Sequence, residues 1–323
     1  MPNVTPRRDR QVERTNFAPR RDRRFALTHF LLFLFLAGPL LAQPRPKILG
    51  LARASFYVTD IAKARAFYED FLGYQSLPMA GRANVAAYIK INDKQYVELL
   101  AGPNPGDRLH STAVYTDNAE QMRAYLAAKG ISVPAKIGRD GMGNPAFAVQ
   151  DPDNHKIEFV EYNKDARDVD ARFQTSRISS RLSHAGINVG SLNRAMKFYH
   201  DILGFEETWR GGAGPQLSWV NLRVPNGEDY IEFMLYDTLP AENQRGGRHH
   251  ICLVVPDMTK AAATLEARPA RKTYTLKLEP KVGVNRKRQL NLFDPDGTRV
   301  ELMEPSTIDG TRTPSSTAPP PIP

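Results

Sequence analysis

A stretch that occurs twice decides the fold. It reads VTDIAKARAFYEDFLGY at residues 58–74 and VGSLNRAMKFYHDILGF at residues 189–205. Each copy starts at the end of a strand-like run, and its apolar residues then recur at helical spacing. In the second copy, Ser191 can cap the helix and Gly204 lies where a left-handed residue would end it. The repeat predicts two strand–helix units of the same kind.

A second kind of unit follows each copy and ends with a tight turn before a strand. DPDNHKIEFV occupies residues 151–160 and DPDGTRVEL occupies residues 294–302. Asp, Pro, Asn and Gly in this order are turn signals. The chain is therefore predicted to contain four modules, each with one strand, one helix and about three further strands (βαβββ). Their approximate bounds are 50–101, 108–162, 181–237 and 248–304.

The modules predict an α+β protein with two domains, which agrees with the usual domain size for 323 residues. The first two modules form a domain over 50–162 and the last two form one over 181–305. A polar linker, 163–180, joins them. Residues 306–323 are rich in Pro, Ser and Thr and are predicted to be a disordered tail.

The amino-terminal segment is typical of an export signal. Residues 1–24 contain eight arginines and three acidic residues, and an apolar run follows over residues 25–42. A basic region, a short apolar core and a small residue at Ala42 predict a signal peptide over 1–42. We therefore expect a periplasmic or extracellular protein. An uncleaved membrane anchor is the alternative, and membrane contact is expected only in that case.

The remaining composition argues against nucleic-acid binding. The net charge is +9, but residues 1–24 carry +5 of it, and the other residues therefore carry only +4. No basic stripe interleaved with aromatic residues is present in the sequence. The one cysteine, Cys252, lies in an apolar run, so no intramolecular disulfide can form and a buried hydrophobic role is expected.

Four residues of metal-ligand type, His184, Glu232, His250 and Glu301, lie in strand-like runs. Strand alternation places each on the face opposite the apolar residues of its run. A glutamate in a sheet cavity is costly unless it meets a cation or a donor. Two imidazoles and two carboxylates suit a divalent metal ion such as zinc, nickel, manganese or ferrous iron. Alternation also favours His250 over its neighbour His249.

The chain resembles the vicinal oxygen chelate superfamily, which includes glyoxalase, bleomycin resistance proteins and extradiol dioxygenases. The Phe-Tyr-x-x-x-Leu-Gly-Phe/Tyr helix ends and the Asp-Pro-Asp-x-x-x-x-Glu strands carry the resemblance, over about residues 50–304. It implies that pairs of modules curl into two open, curved-sheet barrels. It also implies that His184, Glu232, His250 and Glu301 are metal ligands, as in the His, Glu, His, Glu order of bacterial-type glyoxalase.

The first half has the corresponding positions Arg53, Glu98, His110 and Glu158. Arginine does not ligate metals and would pair with a carboxylate, here Glu98 or Glu158. The first barrel is therefore expected to have a degenerate, metal-free site. Two other histidines, His155 beside a turn and His200 on a helix, are predicted to lie on the surface.

Two ways of pairing the modules remain open in the sequence. Contiguous pairing joins modules one and two, and modules three and four. Interleaved pairing would unite His110, Glu158, His184 and Glu232 in one site. The short polar link between the halves favours contiguous pairing.

The ligand set favours a metal-dependent lyase or isomerase of glyoxalase type. Four protein ligands leave two adjacent positions on an octahedral ion, which can take two neighbouring oxygens of a small-molecule substrate. Glu232 or Glu301 would then be the catalytic base for a carbon-bound proton. Export argues against a cytosolic glutathione adduct, so another substrate with vicinal oxygens is expected.

An extradiol-type dioxygenase is the alternative enzyme, with ferrous iron held by His184, His250 and Glu301. Two features weigh against it, the additional acid Glu232 and the absence of Tyr or His from residues 288–293. A non-catalytic protein that binds a small molecule is a third possibility. For that role, the basic loops at 210–214 and 244–248 could contact an anionic ligand.

Overall fold

The structure is a computed structural model that describes residues 44–77, 86–102, 106–162 and 176–322. The predicted signal peptide, 1–42, lies outside the described residues, as does most of the predicted linker. The described residues form one compact unit. No helix in the described part of the chain is long and apolar enough to cross a membrane.

The described residues form two eight-stranded sheets, each curled into a half-barrel. The first sheet contains β1 (Ile48–Val58), β2 (Gln75–Leu77), β3 (Ala86–Lys90), β4 (Tyr96–Ala101), β5 (Leu109–Thr116), β6 (Gly138–Arg139), β7 (Pro145–Gln150) and β8 (Lys156–Val160). The second contains β9 (Leu182–Val189), β10 (Glu206–Gly211), β11 (Trp219–Arg223), β12 (Tyr230–Leu235), β13 (His250–Val254), β14 (Lys281–Val282), β15 (Lys287–Phe293) and β16 (Arg299–Thr307).

The two sheets have the same topology. The strand order is β2-β3-β4-β1-β5-β8-β7-β6 in one and β10-β11-β12-β9-β13-β16-β15-β14 in the other. In each sheet a central antiparallel pair is flanked by two parallel pairs. All strands of a sheet come from one half of the chain. The fold class predicted from the sequence is confirmed, and the modules pair contiguously.

Helices pack against both sheets, and two of them end next to a glycine, as the sequence predicts. They are α1 (Ile61–Ala66), α2 (Ala119–Ala128), α3 (Leu192–Met196) and α4 (Met258–Glu266), and α1 and α3 continue as π-helical turns over Phe67–Phe71 and Lys197–Ile202. Gly73 and Gly204 follow those turns with φ of +79° and +74°. Asp60 caps α1 by accepting a hydrogen bond from the Lys63 amide at 3.0 Å. Ser191 occupies the equivalent position without such a bond.

The two halves share one apolar core and are hydrogen-bonded to each other. The rings of Phe71 and Tyr274, from different halves, stack with centroids 4.3 Å apart. The Gln95 side chain accepts from the Leu182 amide at 2.9 Å and donates to its carbonyl at 2.7 Å. Such buried, fully paired contacts fix the relative position of the sheets.

His155 lies in a buried polar network between the halves, so the prediction of a surface position is wrong. Its side chain contacts Asp151 at 2.8 Å, and the same carboxylate accepts from the Tyr199 hydroxyl at 3.0 Å. The His155 ring also meets His249 edge to face at 5.3 Å. The second half covers the hairpin, which local sequence cannot reveal. His200 is exposed, as predicted.

The C-terminal segment 306–322 contacts the second sheet, which corrects the expectation of a disordered tail. The Leu217 amide donates to the Pro319 carbonyl, and the Ser316 amide donates to the Arg210 carbonyl, both at 2.9 Å. Edge strand β10 offers backbone groups that no strand pairs. The tail uses some of these groups, so backbone pairing orders a segment that is too polar to form a core.

The His155–Asp151 pair makes stability depend on pH. Burial lowers the pKa of His155, but the hydrogen bond and charge of Asp151, with Asp107 and Asp153 nearby, outweigh it and raise the pKa above its ordinary value. The protonated imidazole therefore stabilises the folded state fully below pH of about 6.5, the unfolded value. This contribution disappears as the pH rises through the folded-state pKa.

We therefore predict that His155→Gln lowers the free energy of unfolding more at pH 6 than at pH 9. Urea unfolding at stepped pH measures the difference between variant and wild type. Exposed His200→Gln is the control and should follow the wild-type profile. A difference between His155→Gln and wild type that is constant with pH would contradict the assignment.

Candidate metal centre

His184, Glu232, His250 and Glu301 come together on the concave face of the second sheet. They lie on four neighbouring strands, β9, β12, β13 and β16. Gly186 on β9 pairs with Glu232 on β12 at one side and with His250 on β13 at the other. All four side chains are buried, with at most 7% of any residue exposed.

The donor atoms of His184, Glu232 and His250 all lie within 4.8 Å of one another, and a Glu301 oxygen lies close to both imidazoles. His184 Nε2 lies 3.2 Å from His250 Nε2 and 3.4 Å from a Glu301 oxygen. His250 Nε2 lies 3.3 Å from a Glu232 oxygen. The two remaining His–Glu separations are 3.9 and 3.8 Å. The structure therefore places all four predicted site residues together.

Gly186 makes room for His250. A Cβ atom at this position would lie 1.9 Å from the His250 ring. No side chain fits there unless the imidazole moves, so the close approach requires glycine. Gly186 was not singled out from the sequence, because a glycine inside a strand does not show which ring lies over it.

The Nδ1 atom of each imidazole contacts an oxygen of a neighbouring residue. His250 Nδ1 lies 3.2 Å from the Arg248 carbonyl, and His184 Nδ1 lies 3.4 Å from the Ser183 hydroxyl. A hydrogen on Nδ1 that donates to such an acceptor leaves Nε2 free to bind a metal. The Tyr230 ring packs against His184 at 4.5 Å and restricts its rotation.

The electrostatics favour the protonation states that metal ligation needs. Burial, with the charge of Arg299 and the neighbouring His184, lowers the pKa of His250 well below its ordinary value. Burial would raise the pKa of Glu301, but the two imidazoles outweigh it and the pKa is lowered. One ligand is therefore held neutral and the other ionised.

Cys252 lies beside this cluster. Its thiol, together with His184 and Glu301, forms a second group whose possible donor atoms all lie within 4.8 Å of one another. Burial raises the pKa of the thiol well above its ordinary value, and the charge of Glu301 raises it further. Cys252 is fully buried, as expected, and its surroundings favour the protonated thiol.

A cavity of about 210 Å³ opens over Glu232 and Glu301. Its other lining residues are Trp209, Trp219, Lys281, Val282, Gly283, Val284, Asn285, Gln289, Asn291 and Arg299. Strand alternation places Arg299 on the same face as Glu301, two residues along β16. This alternation was the available signal for Arg299, which the sequence reasoning missed.

The two basic loops do not line this cavity. Arg210 is held by Glu207, with Nε 2.6 Å from the carboxylate, and Arg245 lies 3.4 Å from Asp107. Arg210 and Arg245 are thus paired within the protein, and the Arg248 guanidinium lies 5.1 Å from the centre of the Tyr236 ring.

In the first half a guanidinium occupies the equivalent of the metal position. Arg53 lies 3.3 Å from Glu98 and 3.1 Å from Asp140, and it also pairs with Glu158. Burial alone would lower its pKa, but the surrounding carboxylates raise it. The expected pairing with Glu98 and Glu158 is confirmed. Asp140, from the hairpin between β6 and β7, was not predicted.

His110 does not join the Arg53 cluster. The register of β1 and β5 shifts next to it, so that Ser55 pairs with Ser111. The His110 ring turns instead to the Tyr57 hydroxyl at 2.8 Å and to Lys156 Nζ at 3.2 Å. The first-half set is therefore one arginine with three carboxylates, and a β-bulge removes the histidine.

We predict that Gly186→Ala displaces His250 and removes bound metal from a folded protein. The added methyl group and the imidazole cannot occupy the same space. Elemental analysis of the purified variant measures the loss, and circular dichroism checks its fold. Gly214→Ala, where a Cβ meets nothing within 4 Å, is the matched control. Full metal content in Gly186→Ala would contradict the proposed ligand geometry.

Arg53→Met should destabilise the protein by about 3–5 kcal/mol, because it leaves buried carboxylates without their cation. Urea unfolding at pH 7 measures the change. Exposed Arg288→Met is the control and should cost less than about 1 kcal/mol. A similarly small effect for Arg53→Met would show that the buried pairs contribute little to stability.

Comparisons with known proteins agree with the repeat and the fold. The model of the Glyoxalase/Bleomycin resistance protein/Dioxygenase superfamily matches residues 50–159 and 181–302. Mitochondrial methylmalonyl-CoA epimerase from Mus musculus is 31% identical over 134 residues, which cover 38% of this chain and 71% of the relative.

Two solved dioxygenases have a similar fold. A mutant of homoprotocatechuate 2,3-dioxygenase from Brevibacterium fuscum has a TM-score of 0.62 at 21% identity, covering 81% of this chain and 72% of the other. The 2,3-dioxygenase LapB from Pseudomonas sp. KL28 has a TM-score of 0.63 at 15% identity, covering 84% and 98%. At these identities the likeness shows the fold alone. The family model covers most of the chain, which therefore belongs to the Glyoxalase/Bleomycin resistance protein/Dioxygenase superfamily.

Proposed function

We propose that the protein is a metal-dependent enzyme that isomerises or cleaves a small molecule bound through vicinal oxygens. His184, Glu232, His250 and Glu301 would hold the ion. The short distances between donor atoms carry the proposal: 3.2 Å between the two imidazoles, and 3.3–3.9 Å from each imidazole to each glutamate.

The residues fit a divalent ion in chemistry and size. Imidazole and carboxylate ligands suit zinc, nickel, manganese and ferrous iron. Neighbouring ligands of an ion bound at about 2.1 Å lie about 3.0–3.5 Å apart, so the observed separations need only a small contraction. Without a cation, two buried glutamates would face each other at a high electrostatic cost.

Each residue has a separate task in this proposal. The bound ion would supply Lewis-acid stabilisation of negative charge on a substrate oxygen. Glu232 or Glu301 takes the carbon-bound proton, since both carboxylates reach the cavity. Trp209 and Trp219 line the same cavity and would shield that proton from water. The relative from mouse, an epimerase, supports chemistry of the isomerase class.

An extradiol-type dioxygenase remains the second candidate. His184, His250 and Glu301 alone would form the two-histidine, one-carboxylate set of non-haem iron enzymes. The Tyr230 ring lies 4.5 Å from the His184 ring, but burial raises the pKa of this phenol well above its ordinary value and makes it a weaker proton donor. Glu232, as an additional acid at the centre, weighs against this candidate.

We also propose that the protein is exported. This proposal rests on the basic and apolar sequence of residues 1–42. An N-terminal membrane anchor is its alternative, and a non-catalytic binding protein is the remaining alternative to both enzymes.

The two candidate enzymes would react differently with a panel of small 2-oxo compounds, 2-hydroxy compounds and catechols. An isomerase exchanges a substrate C–H for deuterium in D₂O and works with zinc, nickel or manganese. A dioxygenase consumes oxygen and requires ferrous iron. We expect deuterium exchange without oxygen uptake. Oxygen uptake with ferrous iron alone would favour the dioxygenase, and metal-free protein that binds ligand would contradict both.

We predict that His250→Ala lowers both metal content and exchange rate at least tenfold. It removes a ligand from the cluster, and a metal-dependent reaction must fall with its metal. Exposed His200→Ala is the control and should keep both values. Unchanged metal content in His250→Ala would place the ion elsewhere.

A further inference from the structure

Arg299 is a cation beside the candidate metal centre that the proposed reaction does not use. It is half-buried, lies on β16 two residues before Glu301, and lines the same cavity. Within the described residues it forms no ion pair, and its Nε atom is buried without a hydrogen-bond partner. Arg53, by contrast, is surrounded by carboxylates.

Arg299 contacts His250, a candidate metal ligand. Its Nη2 lies 2.5 Å from His250 Nδ1, which also lies 3.2 Å from the Arg248 carbonyl. When Nε2 of this ring ligates a metal, Nδ1 carries a hydrogen and donates to Arg248. A guanidinium has only donors and cannot bond to a protonated nitrogen. Arg299 then needs another acceptor, and the cavity is where one can enter.

The charges around the cavity favour a monoanion. Glu232 and Glu301 together balance a divalent ion, and the two imidazoles are neutral when they ligate. Lys281 also lines the cavity but is exposed to water, so Arg299 leaves one partly buried positive charge beside a half-enclosed site. An unpaired charge in such surroundings is costly, and a ligand with one negative charge would remove this cost.

The cavity also limits the size and character of the ligand. Its volume of about 210 Å³ is smaller than the pockets of about 300–1,000 Å³ that hold drug-sized ligands. Trp209, Trp219, Val282 and Val284 give part of the wall an apolar surface. The site therefore suits a small molecule with one apolar or aromatic part.

We infer that Arg299 selects the substrate, and that the substrate is a small monocarboxylate with an oxygen on the adjacent carbon. Its carboxylate accepts from the Arg299 guanidinium, and its apolar part lies against the tryptophans. Arg299 acts by binding the ligand and takes no proton. This inference rests on the proposed metal-dependent function, because the metal both supplies charge and fixes the His250 hydrogen on Nδ1.

Two probes separate charge from chelation. Mandelate is a small aromatic 2-hydroxy carboxylate, and 1-phenyl-1,2-ethanediol keeps the ring and the vicinal oxygens without the charge. Trp209 and Trp219 are the two tryptophans of the chain, and both line the cavity. Intrinsic fluorescence of the full, metal-loaded protein therefore reports binding of either probe directly.

We expect Arg299→Gln to weaken mandelate binding about tenfold or more, the usual effect of losing a charged hydrogen bond. Binding of the neutral diol should stay within about threefold of wild type. Arg288→Gln, which removes an exposed arginine of β15, is the matched control and should bind both probes as wild type does. Arg299→Met is a second neutral variant if the glutamine variant does not fold.

Metal content, measured on every sample, separates this inference from the proposed function. Wild-type protein without a divalent ion would overturn both. Metal-loaded Arg299→Gln or Arg299→Met that keeps the wild-type preference for mandelate would overturn the role of Arg299 alone. Metal-loaded wild type that binds neither probe would overturn the substrate class.

Discussion

The cost of burying carboxylates on a concave sheet face shapes both halves of this protein. Each half brings at least two of them to the centre of its sheet, and each needs a cation there. In the first half the cation is the side chain of Arg53, which lies among Glu98, Asp140 and Glu158. The second half has imidazoles at the centre instead, and its glutamates call for an ion from outside. One architecture thus gives a structural site and a candidate reactive site.

Strand register determines where the buried glutamates and histidines lie relative to one another. In the second sheet, β12, β9, β13 and β16 are neighbours, and each of the two glutamates lies within 3.9 Å of both histidines. Gly186 allows the rings to approach, and the shared core and inter-half hydrogen bonds hold the sheets in place. The environment is not symmetric, because Tyr230 covers one imidazole and Arg299 lies beside the other. This asymmetry gives the cavity a charged side.

The sequence predicts what depends on local pattern and misses what depends on contacts between distant segments. Module repeats and strand alternation were enough for the α+β class and for locating His184 and Glu301 on one face. The burial of His155 depends on the second half packing over it. Asp140 reaches Arg53 from a hairpin, and a β-bulge turns His110 away. The order of the C-terminal tail comes from backbone pairing that composition does not encode.

We infer that a metal ion in the second half neutralises buried carboxylates as Arg53 does in the first. Native mass spectrometry of the purified protein tests this by counting the tightly bound divalent ions per chain. We expect one ion per chain. A chain that retains no ion would show that the four converging residues are satisfied without metal. Two ions would show that Arg53 does not replace a metal in the first half.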